Sequence, residues 1–210
     1  MKLEELPFGS NIKIPERRED GTYELADYTL GCLNNFDVGT AGLIREEVHS
    51  LCRFGDSTEY AGSDLDKRMT EIYNSYPDEL KELIIPSTIP LYNGSGAEDI
   101  TRKVFAPTLT MVGGGENEGV DEGFTWPIFT RRNRRKKTFN GSAASWWLSS
   151  QFSSDFARHV DSVGSAYYFG LSSLTLGAVP AFVIPQSVQI DDTPDNDGSY
   201  RLPELQSYCS

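Results

Sequence analysis

The chain has 210 residues, a formal net charge of −12, 38% hydrophobic and 11% aromatic content, with 19 glycines and 11 prolines. That length and apolar fraction suit one packed domain with short extensions and exclude an intrinsically disordered chain. So much negative charge disfavours nucleic acid and anionic membrane surfaces as partners, and no apolar run is long enough to span a bilayer.

Residues 1–21 read as an extended, charged arm with turn formers at Gly9-Ser10-Asn11 and around Asp20-Gly21. Such an arm is either a lead-in edge strand or an anchor docking on a neighbour. Met1-Lys2-Leu3-Glu4-Glu5-Leu6 lacks the apolar core of an export signal, so synthesis in a cytoplasm is expected.

The folded domain is expected over residues 22–190. Thr22 to Leu30 alternates apolar and polar residues and predicts a strand. Gly42 to His49 is ambiguous and could be a strand running into Ser50 to Phe54. Ser63-Asp64-Leu65-Asp66 has the form of a capped helix start, and Leu65, Met69, Ile72, Tyr73 and Tyr76 then share one helical face. Pro77 stops that helix, and a second, shorter one runs from Asp78 to Ile85 before Pro86. Both apolar faces should pack on a sheet.

Leu91 to Gly96 reads as a turn, and Ile100 to Pro107 as a strand continued by Leu109 to Val112. Gly113 to Gly119 reads as a flexible surface loop. It lacks the lysine ending of a phosphate-cradling loop, and its acids would repel phosphate. Arg131 to Lys137 holds six of the 19 basic residues. In so acidic a chain this cluster reads as a solvated loop or as a patch paired with an acidic surface, with binding of an anionic surface polymer as the alternative.

Trp146 to Ser150 is an aromatic strand and Val179 to Ile184 an apolar one; about thirty residues rich in Ser, Gly, Tyr and Phe lie between them. Rigid aromatics among small polar residues make a recognition composition. Ala157 to Val160 and Ser165 to Phe169 predict a hairpin around Asp161-Ser162-Val163-Gly164. Consecutive Tyr167, Tyr168 and Phe169 place rings on both faces of a strand, so at least one must be displayed or stack under a loop. The candidate ligand-binding set is Gln151, Phe152, Arg158, His159, Tyr167, Tyr168, Phe169 and Leu171.

Residues 191–210 form a polar tail. Asp191, Asp192, Asp195, Asn196 and Asp197 do not match a spaced calcium loop and read as turn chemistry. His49 and His159 lie in no nucleophile motif, and His49 and Cys52 would point to opposite faces of a strand. Cys32, Cys52 and Cys209 are too few and too scattered for a disulfide or zinc framework. No catalytic residue, metal or cofactor is expected, and a glycan hydrolase would need a carboxylate pair that nothing here singles out.

Several motifs in order carry a family resemblance. They are the helix from Ser63, Leu83-Ile84-Ile85-Pro86, Arg102-Lys103-Val104-Phe105, Asn140 to Ser150 with its Trp146-Trp147, the Val160 to Gly164 turn, and Gly177 to Val183. This pattern resembles an uncharacterised domain family frequent in gut bacteria and their phages, whose members look like C-type-lectin-like folds. Phage variable receptor-binding proteins and formylglycine-generating enzymes use the same scaffold. That family usually carries Arg at the place of Ser149 or Ser150 and another at Ala178. The resemblance implies an α+β fold, with two helices on twisted, mostly antiparallel sheets and many loops. It implies a phage virion protein whose C-terminal face binds a host surface glycan or protein at a tail, fibre or capsid. Other virion proteins and copies of itself would be its partners. A purely structural decoration or connector subunit, or a bacterial surface-ligand binding protein, are the alternatives. The enzyme branch of the scaffold uses paired cysteines near its groove, and this chain has none between Cys52 and Cys209.

Overall fold

The computed structural model describes residues 1–208 and is a sheet-rich α+β fold. The first strands are β1 (Asn11–Arg17), β2 (Tyr23–Leu33), β3 (Thr40–Arg45) and β4 (Ser50–Arg53). Helices α1 (Asp64–Ser75) and α2 (Asp78–Leu83) follow. Next come β5 (Ser87–Tyr92), β6 (Ala97–Arg102), β7 (Val104–Phe105), β8 (Lys137–Phe139), β9 (Ser142–Ala144) and β10 (Trp146–Gln151). The chain closes with β11 (Phe156–Val160), β12 (Tyr168–Leu171), β13 (Thr175–Ala178), β14 (Ala181–Pro185) and β15 (Tyr200–Arg201).

One sheet has the order β15-β1-β2-β3-β14-β7, and a second has the order β12-β11-β10-β13-β4. Two hairpins, β5-β6 and β8-β9, stand beside them. All pairings are antiparallel except β1 with β15 and β10 with β13. The ambiguous stretch after Gly42 therefore resolves into two strands, β3 and β4, that belong to different sheets.

Helix α1 starts where its cap dictates. Ser63 Oγ accepts from the Asp66 backbone N–H at 3.1 Å. Asp66 in turn takes both arms of the Arg102 guanidinium at 2.8 Å, which ties the helix start to the end of β6. Leu65, Met69 and Ile72 face inward. Tyr76, just beyond the helix, packs edge-on against Tyr28 and Phe182 of the main sheet.

Trp126 fills the other side of that sheet and needs bare backbone beneath it. A Cβ on Gly31 would stand 2.3 Å from its ring. Phe36 and Phe129 complete its surroundings.

Leu109 to Val112 is not a strand. It is a buried, hydrogen-bonded turn, with Val112 N donating to Thr108 O and Gly113 N to Thr110 O. The stretch read as a turn at Leu91 to Gly96 is half strand, because β5 runs to Tyr92 and the turn proper is Asn93 to Gly96. Pro90 lies inside β5, which is tolerated because that strand has a partner on one side only.

Both chain ends sit on the main sheet. Leu3 is buried, and Leu3 N donates to Val188 O. Leu202 and Leu205 are buried, and Tyr208 donates to Glu79 at the α2 end while its ring meets Tyr23. The tail aspartates make turns: Asp197 accepts from Ser199 and pairs with Lys13, and Asp195 pairs with Arg201. Cys32 and Cys52 are free thiols, pushed by burial to about 12 and about 11. Cys209 lies outside the described residues. No helix among the described residues is long and apolar enough to cross a membrane.

Half of the basic cluster is structural: Arg132, Arg135 and Lys137 each donate to backbone carbonyls, while Arg131, Arg134 and Lys136 are exposed. Lys137 is buried and donates to Arg45 O at 2.6 Å, with Glu46 4.0 Å away. Burial pushes its amine down to about 8. The unfolded chain holds that proton up to pH ~10.4, whereas the folded protein releases it from about pH 8. Stability from this site therefore rises with pH between those values, because the unfolded state binds more protons there. Lys137→Met should lack that rise. In denaturant titrations the wild type is expected to gain about 2–3 kcal/mol on the variant between pH 7 and pH 10.5. A constant difference would show that the amine is not desolvated.

Candidate functional site

The second sheet ends in a hairpin whose outer strand is β12. Asp161 Oδ1 accepts from Val163 N at 3.1 Å and Ser165 N at 2.7 Å, and Gly164 adopts φ +86° to close the turn. Two guanidiniums of the basic cluster then clamp the turn from below. Arg132 donates to Val163 O at 3.1 Å and Arg135 to Gly164 O at 2.9 Å. Arg135 also reaches Val112 O at 2.8 Å.

The β11–β12 register pairs Phe156 with Leu171, Arg158 with Phe169 and His159 with Tyr168. Strand alternation puts Phe169 and Leu171 on one face, beside Phe156 and Arg158. Tyr168 and His159 lie on the other, where Trp147 meets His159 edge-on at 5.9 Å.

Phe152 and Phe169 stack at 4.1 Å between centroids with an 18° interplanar angle. Phe156 meets Phe169 edge-on at 5.4 Å. The Arg158 guanidinium carbon stands 4.3 Å from the Phe152 centroid. Arg158 is fixed there by Asn117 Oδ1 at 3.1 Å and Glu118 at 2.9 Å. The result is a preset aromatic–cation stack rather than a mobile loop.

Tyr167, Tyr168, Phe169 and Leu171 are 67%, 54%, 45% and 46% exposed. Val163 at the turn and Leu174 after the strand are exposed too, and both were missing from the sequence-derived set. These six lie along β12 and just beyond its two ends, distributed over both faces of the free sheet edge. The other four candidates are half-buried. Gln151 donates to Thr58 Oγ1 and Ser153 O, and His159 Nδ1 is buried without a partner. Burial pushes the His159 imidazole below its usual range, so it is neutral at pH 7. Phe152, Arg158 and His159 thus back the displayed rings, whereas the Gln151 amide is turned to the 57–61 loop.

The support runs deeper than the sequence suggested. Asn117, expected in a flexible surface loop, is fully buried. Its amide donates to Glu122 Oε1 at 3.0 Å and Gln151 O at 2.7 Å. Glu122 is also fully buried, and accepts from Tyr92 N at 3.0 Å and from Ser150 Oγ. Burial raises its carboxyl above the usual range, while those donors pull it back down. These contacts span from residue 92 to residue 158, and no short-range pattern announces them.

Among the described residues no group of three or more His, Cys, Asp or Glu side chains could hold a metal ion. His49 contacts Ser50 and lies 3.9 Å from Glu16, away from the aromatic rim. What the arrangement offers chemically is contact area with a fixed cation behind it.

A family model described as a domain of unknown function, DUF6273, matches residues 39–186. No curated protein and no solved structure matches the chain. The matched span covers most of the chain, and the chain belongs to the DUF6273 family.

Proposed function

We propose that this member of the DUF6273 family is a non-enzymatic binding protein of a phage virion. Its contact face is the aromatic rim on β12, and its ligand is a glycan or protein on the host surface. The virion setting and the C-type-lectin-like scaffold rest on the motif resemblance. The placement of the face rests on one observation: Tyr168, Phe169 and Leu171 of the edge strand β12, and Tyr167 just before it, are all exposed, on both faces of that strand. Folded proteins seldom leave a run of large apolar side chains in water without a partner for it. An exposed apolar edge strand also invites aggregation unless it is covered.

Aromatic anchors dominate binding energy where their conformation is set beforehand. Phe169 meets that condition, being stacked on Phe152 and braced by Phe156. Hydrogen bonding from Tyr hydroxyls would add specificity at the rim.

Tyr167→Ala combined with Tyr168→Ala tests the placement. Both side chains are mostly in water, so the unfolding midpoint should barely move, within about 0.5 kcal/mol. Adsorption of virions carrying the double variant to host cells should fall at least about 30-fold, as for two anchors worth about 1 kcal/mol or more each. Unchanged adsorption would remove β12 from the contact face. Immunogold labelling of intact virions separates the structural alternative: label at tail or fibre tips fits receptor binding, and label spread over the capsid fits a decoration subunit.

A further inference from the structure

Six of the 19 basic residues and none of the 31 acidic ones lie between Arg131 and Lys137. In an acidic chain such a run is expected to pair with carboxylates of its own fold. Lys137 has Glu46 at 4.0 Å. Among the described residues none of Arg131, Arg132, Arg134, Arg135 and Lys136 makes an ion pair. Asp161, the acid nearest in the turn above them, has its Oδ1 taken up by Val163 N and Ser165 N. The fold therefore gathers positive charge at one place and leaves it without a counter-charge.

That place adjoins the displayed rings. A Cβ on Gly164 would stand 3.2 Å from Lys136 Cγ and 3.4 Å from Arg132 Cγ, so both stems lie against the turn that carries exposed Val163 and leads to exposed Tyr167. Tyr167 is also close enough to act on Arg135: burial pulls that guanidinium down, Tyr167 pushes it back up, and Arg132 adds to the lowering. Arg132 is exposed but fixed. Its Nε donates to Val163 O at 3.1 Å, while its two Nη groups have no partner among the described residues. The far end of the guanidinium, with two parallel N–H bonds, is thus held in place and open, and it matches the two oxygens of a carboxylate. Lys136 adds an exposed point charge on a flexible stem. Rings beside an open fork suit a ligand with an apolar face and a carboxylate. A sugar acid has both, with C–H bonds on the ring faces and the carboxylate at the edge. A densely charged strand such as nucleic acid fits worse, because the acidic surface around the patch opposes it along its length.

We propose that the contact face on β12 takes an acidic glycan, with a sugar carboxylate on the Arg132 guanidinium, Lys136 as the second cation and the sugar ring against Tyr167. This rests on the reading of β12 as the contact face and names the chemistry of its ligand. The negative surface elsewhere on the chain turns the same ligand away from other approaches, so repulsion adds to the specificity of the patch.

Calorimetric or ligand-observed NMR titration of the full chain tests this, with a galacturonate trisaccharide as probe and its fully methyl-esterified form as the uncharged control. The acid is expected to bind with Kd of about 1 mM at low salt, and the ester about tenfold more weakly. Lys136→Gln breaks no internal hydrogen bond and should weaken the acid about threefold. Arg132→Lys keeps the charge, loses the parallel fork and should weaken it about fivefold, with the unfolding midpoint checking that the turn survives. Virion adsorption separates this assignment from the reading it rests on. A loss with Tyr167→Ala and Tyr168→Ala, but none with Arg132→Lys and Lys136→Gln, keeps the contact face and overturns the acidic ligand; no loss with either pair overturns both. Equal binding of acid and ester, or no binding of the acid at about ten times the expected Kd, would also overturn it. So would a short DNA duplex bound more tightly than the trisaccharide, or self-association of the chain that Lys136→Gln abolishes, which would make the partner a nucleic acid or a second copy.

Discussion

Glu122→Ala should be among the most destabilising single substitutions outside the apolar core, costing about 3–6 kcal/mol. The carboxylate is completely buried and is the acceptor for three donors on three segments: Tyr92 N, Asn117 Nδ2 and Ser150 Oγ. Alanine leaves all three in the interior without a partner, and each orphan costs about 1–3 kcal/mol. Asn117 keeps its bond to Gln151 O, and Ser150 Oγ still accepts from Leu109 N, but neither contact gives the freed protons a new acceptor. Glu122→Gln keeps the shape and one acceptor oxygen and should cost less than half as much. The two variants also differ in pH dependence. Burial raises the Glu122 carboxyl, so the folded state binds its proton more tightly than the unfolded chain does. Stability from this group is present below about pH 4.3, the unfolded value, and is lost as pH rises through the folded value. Wild type minus Glu122→Gln should thus fall with rising pH, starting near pH 4.3. A flat difference would mean that the network fully compensates the carboxylate. Because Asn117 also holds Arg158 over Phe152, Glu122→Ala should weaken binding at the proposed contact face even where the protein stays folded.

The parts of this protein that local chemistry controls could be read directly from the sequence. Ser63 and Asp66 stand three apart, and that spacing alone fixes the cap and the start of α1. Alternation from Thr22 marks β2, and the Asp161–Gly164 turn marks the hairpin. Three consecutive aromatics cannot all face inward from a strand, so at least one near Tyr167 had to be displayed or stack under a loop; the structure exposes all three. Elsewhere the deciding contacts are long-range. Nothing near Ser50 indicates that β4 leaves the main sheet to pair with β13, some 125 residues later. Gly113 to Gly119 has a loop's composition, yet Asn117 is drawn inside by partners at 122, 151 and 158. The Phe152–Phe169 stack likewise depends on the register that sets Arg158 opposite Phe169. Composition marked the displayed residues but not the residues that hold them in place. The basic cluster shows the same division: its charge was obvious, but its use in clamping the 161–164 turn depended on carbonyls brought close only by the fold.

Glu16→Ala is expected to cost about 3–5 kcal/mol, the usual penalty for leaving one member of a buried ion pair alone. Glu16 lies in β1, within the stretch that reads as either a lead-in edge strand or an anchor for a neighbour; it is 8% exposed and anchors the main sheet of its own chain. Its carboxylate takes Arg45 Nε at 3.0 Å and Nη2 at 3.1 Å, a two-point clasp joining β1 to β3 across β2. The Tyr28 hydroxyl donates to it at 2.7 Å and lies 2.6 Å from the Tyr76 hydroxyl. That chain of bonds carries the sheet's polar core to the end of α1. Removing Glu16 strands the Arg45 charge and one tyrosine proton together, although Arg45 keeps the Glu47 and Val48 carbonyls. For a protein of this size the loss should lower Tm by about 6–20 °C. Glu16→Gln retains an acceptor for Tyr28 but not the charge, so it separates the ion pair from the hydrogen bond and should cost appreciably less. Deleting residues 1–21 should then be at least as damaging as Glu16→Ala, because it removes β1 entirely. A truncated chain with an unchanged Tm, or a Glu16→Ala loss under about 1 kcal/mol, would show that β1 is a dispensable arm rather than a structural strand.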